Sequence, residues 1–300
     1  MLSKLRACVL LSGSIRASDL LRGTGRSPLS LPADPHRSVL ASWALQAEAL
    51  GAAVGRGTLA LRVLVDRTSP LPAPPRAAPG LDIAIQQDPA DFRGTGGLLR
   101  DACVEYADDD TILVANGNQI LVDPIVDVAR ELDERGGDVS LVAHDDGTPV
   151  GFFLMRVGVL RAVRELGYMD LKEQLLPHLA RKHDVRVLSR PRSPAHPMRT
   201  LDEYIRALTA FHRHAAAAGD RPDVRDGECW FPTFSIVEGG ARVPASARVH
   251  DSVVLKGAVL GDSAVVVRSV VAEGTSVPAG AVVADAVVDS RFSFSRRGRA

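Results

Sequence analysis

Cysteine is scarce and scattered. Cys8, Cys103 and Cys229 are the whole complement of this 300-residue chain. They are odd in number, far apart and without histidine at metal spacing. That excludes a disulfide framework or a zinc knuckle and leaves reduced packing residues. An excess of either charge is also missing. Lys plus Arg and Asp plus Glu each total 36, so no net field recruits nucleic acid or an anionic membrane. Only the last ten residues, RFSFSRRGRA, are locally basic, and they read as a frayed terminus. No apolar run reaches membrane-spanning length. Lys4 and Arg6 before ACVLLSGSI imitate a signal peptide, but Arg16 interrupts the run too early. The expectation is a soluble cytoplasmic protein with neither nucleic-acid nor membrane partners.

What is present is apolar content of 46%, enough for a real core in one large or two modest domains. Up to about residue 215, short apolar runs alternate with helical patterns. The runs at 7–11, 62–65, 82–85, 111–115, 139–143 and 185–188 read as strands. Between them lie SVLASWALQAEALGAA, GGLLRDACVEYA and DPIVDVARELDERGG. In the last of these Asp123 is expected to cap, Pro124 to open the helix and Gly136-Gly137 to end it. A further helix over 170–182 carries Pro177 and is expected to kink or restart there. This alternation predicts an α/β fold, a Rossmann-like and mostly parallel sheet covered on both faces. SPLPAPPRAAPG (69–80) is expected to be an extended loop, and the stretch after residue 214 a boundary.

Beyond that boundary the texture changes. Aliphatic residues recur every six positions at Val237, Val243, Val249 and Leu255. The register then slips by one to Leu260 and Val266, and again to Val271, Val277 and Val283, with small residues between as tight corners require. A six-residue period of this kind predicts a parallel β-helix of roughly three coils. The expected domains are 1–215 (α/β), 216–235 (linker), 236–290 (hexapeptide-repeat β-helix) and 291–300 (a disordered basic tail).

The chemistry centres on TILVANGNQILVD, Thr111 to Asp123. A buried strand stops at Asn116-Gly117, and parallel sheets place their functional groups at such carboxyl ends. The group there is Asn118, a neutral amide. Gly13, Ser14 and Arg16 follow the first strand, where backbone N–H groups can face a phosphate. Arg22 or Arg26, in RGTGR, can supply a cation. Gly94, Thr95, Gly96 and Gly97 open a helix with room for a base or sugar, with Gln86 or Gln87 placed to read a base edge. Each has a purely structural counterpart: a tight turn for Gly13, a solvated loop for RGTGR, helix packing for the glycines, and a generic Asn-Gly turn for Asn116-Gly117. DDD (108–110) precedes its strand and reads as a solvated turn, and His250 as a corner residue.

CVLLSGSIR, RSPLSLPADPHRSVL (26–40), GTGGLL (94–99), NGN (116–118), DLKEQLLPHLARKHDVRVL and TLDEYIRA (200–207) occur in this order before the hexapeptide repeats. The arrangement resembles the sugar-1-phosphate nucleotidyltransferases with a left-handed β-helix tail, such as mannose-1-phosphate guanylyltransferase and ADP-glucose pyrophosphorylase. The resemblance implies a site for a nucleotide or NDP-sugar at Gly13, Ser14, Gln86, Gln87, Gly94–Gly97, Asn116 and Gly117. It also implies oligomerisation, with like or unlike subunits, through the β-helix. In that family Mg²⁺ and cationic side chains neutralise phosphates during transfer of a nucleotidyl group to a sugar phosphate. Its metal aspartates fall here on Asn118 and near Pro197, and its loop lysine near Arg26 or Ser27. Arg16, Arg26 and Asn118 are thus the degenerate catalytic set, with no metal ligand among them. The expectation is a nucleotide-binding regulatory or assembly subunit impaired in catalysis. The alternative is a divergent active enzyme using Mg²⁺, and the third reading is a hexapeptide acyltransferase with His250 as base.

Overall fold

The structure is a computed structural model that describes residues 1–13, 19–67, 69–75, 79–88, 94–163, 167–218 and 233–294. The chain divides into two compact units, Met1–Ile15 with Leu40–Ala195 and Arg16–Val39 with His196–Ala300. The sequence placed the division near residue 215. The segment 16–39 and the helix Leu201–Ala218 instead group with the repeats.

The first unit is built on apolar strands that need cover on both faces. Each expected run forms one: β1 (Leu5–Ser12), β2 (Leu59–Val65), β3 (Leu81–Gln87), β4 (Thr111–Asn116), β5 (Val139–Ala143) and, after β6 (Pro149–Arg156), β7 (Val185–Ser189). They form one seven-stranded sheet in the order β7-β5-β6-β4-β1-β2-β3. All neighbours are parallel except β6, which runs antiparallel to both β4 and β5. The sequence reading missed β6. Its run GFFLM is buried throughout, and it lies inside the sheet between β5 and β4.

Helices cover the sheet. On α1 (Val39–Ala53), Trp43 is 1% exposed, stands 6.0 Å from the Phe152 ring and donates its indole N–H to the Gln119 carbonyl at 3.0 Å. Burying an indole of this size while satisfying its one donor is what fixes such a residue in a core. α2 (Gly94–Ala102) and α3 (Ile125–Arg135) follow β3 and β4. Asp123 does not cap α3. Its carboxylate accepts from Arg190 at 2.9 Å, and the Ile125 N–H at the helix start finds Gln46 Oε1 at 3.1 Å instead. Gly136 and Gly137 end α3 with φ of 69° and 85°, as expected. Asp170 caps the next turn by accepting from the N–H groups of Lys172 and Glu173, and the helix restarts at Leu176-Pro177. The Asp108–Asp110 turn is not merely solvated, since its carboxylates pair with Arg161, Lys4 and Arg6 in turn.

The second unit carries the parallel β-helix. Ile236, Val253, Val270 and Val287 stack in register, as do Arg248, Val265 and Val282. Every coil is therefore 17 residues long. The inward side chains are Val254, Leu260, Val266, Val271, Val277, Val283 and Val288, in steps of six, six and five. Val254, not Leu255, holds the core position of its coil. The apparent slips in the sequence are a regular short side. That side turns through Asp251, Arg268 and Asp285, all left-handed at φ of 44°, 42° and 52°. Such a conformation strains a side chain, and two bonds from Arg268 to Asp285 hold the corner. Beside it the Ser252 hydroxyl accepts from the Ser269 N–H at 3.0 Å, and that of Ser269 from the Ala286 N–H at 3.1 Å.

α4 (Leu201–Ala218) buries Tyr204, whose hydroxyl donates to the Pro32 carbonyl at 2.6 Å. His212 stacks on Phe234 at 5.4 Å, with Nε2 3.0 Å from the Ala33 carbonyl. Burial pulls its pKa below the ordinary 6.5, against the opposing Ala33 carbonyl and Asp34 carboxylate. The folded unit therefore resists a proton that the unfolded chain takes up. Its stability contribution is complete above 6.5 and is lost as pH falls from there towards the lowered folded value. Arg268 and Arg291 hold the Asp285 and Asp289 carboxyls below their ordinary 3.8, so their contribution fades only at more acid pH. The stability of this unit is expected to fall as pH drops below about 6.5, and the His212→Asn variant to lose that acid dependence. A slope unchanged by the substitution would assign the effect elsewhere.

Candidate functional site

The connection from β1 runs outward to β2 and β3, then crosses back to β4 on the other side of β1. Chain connections therefore part in opposite directions between β1 and β4, the place where open parallel sheets take ligands at the carboxyl ends of their strands. The register brings Ser12 opposite Val65, Val65 opposite Gln87, and Leu11 opposite Asn116. Four strand ends thus finish at one edge.

Ser12, 3% exposed, joins the two strands that part. Its hydroxyl donates to Asn118 Oδ1 at 2.7 Å, and the Gly117 N–H donates to the Leu11 carbonyl at 2.9 Å. Asn116 Oδ1 accepts from the Asn118 N–H at 3.0 Å and so rigidifies the turn. The Asn118 carbonyl oxygen is a neutral dipole already turned onto a hydroxyl. Gln119, the next residue, is 6% exposed, and its amide N–H₂ donates to the Val150 carbonyl at 3.0 Å.

On the other side of Ser12 lies a group that the sequence reading passed over. The Asp66 N–H donates to the Ser12 carbonyl at 3.2 Å. The Asp66 carboxylate accepts from the Ser69 N–H at 2.9 Å and the Ser69 hydroxyl at 2.6 Å. Gly13 makes room for it, because a Cβ on Gly13 would stand 3.1 Å from that of Asp66. The cue in the sequence was an acid directly after the apolar run RVLV, but only strand adjacency shows that it borders Gly13.

Gln87, on exposed surface, donates from Nε2 to the Arg67 carbonyl at 3.0 Å and the Ser69 carbonyl at 3.4 Å. That amide clamps the 66–69 turn rather than presenting itself to a base. Gln86 is exposed at the same edge. Gly94, Thr95, Gly96 and Gly97 do open α2, but a neighbouring backbone fills the space beside them. A Cβ on Gly94, at φ 65°, would stand 2.5 Å from the Met169 carbonyl oxygen, and one on Gly96 3.0 Å from it. The Gly96 N–H donates to that oxygen at 2.8 Å, while Thr95 Oγ1 accepts from the Leu171 N–H at 2.8 Å. Here close packing takes the room that a ligand was expected to use.

Arg26 belongs to the second unit. Its guanidinium bonds Glu238 at 2.8 Å and Glu273 at 2.7 Å, and these two carboxylates hold its charge. Arg22 lies in the same unit. Ser14 and Arg16 lie outside the described residues. His250, half-buried at the end of the strand Arg248–His250, accepts at its carbonyl from the Ser252 hydroxyl at 2.7 Å. Burial pushes the Cys8 and Cys103 thiols up to about 12, too high for a thiolate nucleophile.

Mg²⁺ prefers anionic oxygens in octahedral array. Among the described residues no three His, Cys, Asp or Glu side chains converge as a metal site. Among the described residues, the ends of β1, β2 and β4 bring the neutral Asn118 amide and the Ser69-bonded Asp66 carboxylate to this edge. This donor set does not fit the paired aspartates that the resemblance calls for.

No family model matches the chain, and no curated protein matches its sequence. Solved structures do match. One is named a glucose-1-phosphate thymidylyltransferase from Bacillus anthracis, solved with sucrose. It aligns with a TM-score of 0.50 at 13% identity over 69% of this chain and 95% of its own. Another, from Mycobacterium sp. strain JC1, is a homologue of a Mycobacterium tuberculosis protein. It aligns with a TM-score of 0.46 at 19% identity over 70% of this chain and 98% of its own. Identity this low speaks to fold alone. The chain combines a Rossmann-like, mostly parallel sheet of the nucleotidyltransferase fold with a C-terminal parallel β-helix.

Proposed function

We propose that this protein binds a nucleotide or nucleotide sugar at the β1/β4 edge, is impaired in nucleotidyl transfer, and serves as a regulatory or assembly subunit of sugar-nucleotide metabolism. One observation carries the reading. Where the family resemblance places a metal aspartate, Asn118 supplies an uncharged carbonyl that already accepts the Ser12 hydroxyl. Charge on crowded phosphates then lacks the neutralising device that transfer needs, while the parting of chain connections between β1 and β4, where such sheets take ligands, is kept. The neighbour's name, a glucose-1-phosphate thymidylyltransferase, supports a sugar-nucleotide ligand over an unrelated one. The β-helix is the surface proposed for partner subunits.

Asp66 favours a second reading. It places one carboxylate beside Ser12, and an active enzyme could hold Mg²⁺ there with the phosphates of its substrates. Assaying pyrophosphate release from a panel of nucleoside triphosphates and sugar-1-phosphates with Mg²⁺, alongside calorimetry with NDP-sugars, separates the two. Micromolar binding without turnover is expected. Pyrophosphate release at an enzymatic rate would replace the first reading with the second.

A further inference from the structure

We propose that the second unit carries a binding site for a neutral sugar beside the last coil of the β-helix. The site is independent of nucleotide binding at the β1/β4 edge and stands or falls without it.

A cavity of about 520 Å³ opens there, and every described residue that lines it belongs to the second unit. That is the size of a small-molecule site. One wall is the 22–25 segment. Gly23 lets it lie against the coil, because a Cβ there would stand 2.6 Å from Val287 Cγ1. Gly25 and Gly274 border the cavity with bare backbone, and a Cβ on either would meet nothing within 4 Å. Phe292 and Phe294 add two half-buried rings, 5.1 Å apart, that pack on the β-helix core.

The lining selects against an ion. Arg22 and Arg291 balance Glu273 and Asp289 in number. Arg291 already bonds Asp289 at 2.9 Å, and Glu273 already accepts from Arg26 at 2.7 Å. What the chain leaves unused are hydroxyls. Among the described residues nothing bonds those of Thr275, Ser276 or Ser290, all three on the cavity. Thr275 carries the most weight. It is 8% exposed, and the coil register sets it level with Ala258 and Ala241, where the earlier coils place only a methyl. A buried hydroxyl without a partner is unfavourable, and a ligand that bonds it removes that cost. Each of these hydroxyls donates and accepts, as those of a sugar do. The C–H face of a pyranose ring is the apolar surface that an aromatic side chain covers. Hydroxyls beside aromatic rings, with no surplus cation, complement a neutral sugar rather than a phosphate.

The test is saturation-transfer NMR on the full chain with glucose, mannose, N-acetylglucosamine and maltose, followed by titration of whichever binds. At least one is expected to show transfer, and inorganic phosphate is expected not to displace it. Thr275→Ala restores the alanine of the earlier coils. It is therefore expected to melt with the wild type and to weaken the sugar about fivefold, the weight of one hydrogen bond. Phe294→Ala is expected to weaken it by about the same factor or more. Transfer from none of the sugars overturns the proposal. So does an affinity unchanged in both variants, which would seat the sugar elsewhere. Displacement by inorganic phosphate would make the site anionic and overturn the ligand class.

Discussion

Replacing Gly94 with alanine is expected to cost the α/β unit about 3 kcal/mol and to lower its melting midpoint by roughly 10 °C. Two effects add at this residue. Its φ of 65° is a conformation that side chains adopt only under strain, and the new methyl would press into the Met169 backbone, 2.5 Å from O and 2.7 Å from C. Neither Met169 atom belongs to a flexible side chain, so relief requires moving the start of α2 away from the 169–171 segment. That movement would stretch the Gly96 N–H bond to Met169 and the Leu171 N–H bond to Thr95. Gly136→Ala separates the causes. Gly136 has φ 69° but nothing within 4 Å of an added Cβ, so it should show only the strain, about 1 kcal/mol. Circular dichroism melts of the two variants give the comparison. If Gly94→Ala melts with the wild type, α2 is not docked on Met169, and the Gly94–Gly97 stretch returns to the ligand as first expected.

That outcome bears on how far a sequence of this kind can be read. The central strands β1, β2, β4 and β5 were legible because burial on both faces writes them as nearly unbroken apolar runs. β6 was passed over, although Gly151–Met155 is as plain an apolar run as the others. The β-helix was visible in its small corners and recurrent valines. Its 17-residue coil emerges only when Val254 and Val271 are seen to stack. At the site, the neutral character of Asn118 was readable from residue type alone. The tasks of Gly94 and Gly96 were not, since their partner Met169 is remote in the chain. Arg26 misled for the same reason: its glycine-rich surroundings suggested a free cation, while Glu238 and Glu273 are far away in sequence. Asp66 looked like any acid in a turn until strand pairing set it beside Gly13 and Ser12.

Asn118→Asp is expected to fold normally and to bind a divalent cation more tightly than the natural protein does. The substitution is nearly isosteric, and a carboxylate oxygen can accept the Ser12 hydroxyl as Asn118 Oδ1 does at 2.7 Å. What changes is charge. Ser12 would then be flanked by the new carboxylate just past β4 and by Asp66, whose N–H bonds the Ser12 carbonyl. Two carboxylates at one edge repel, and a hard cation relieves that repulsion with the anionic oxygens it prefers. At an effective dielectric of about 20, one added charge near 4 Å is worth several kcal/mol before desolvation, so a gain of at least about tenfold in Mn²⁺ affinity is expected by calorimetry. Turnover should not follow, because Pro197 cannot supply the second ligand that the family resemblance places there. The stability of Asn118→Asp should in turn rise with Mn²⁺ concentration, as binding to the folded state alone requires. A wild type that already binds Mn²⁺ as tightly as the variant would mean that Asn118 is not what keeps the metal out, and the impaired-enzyme reading would lose its support.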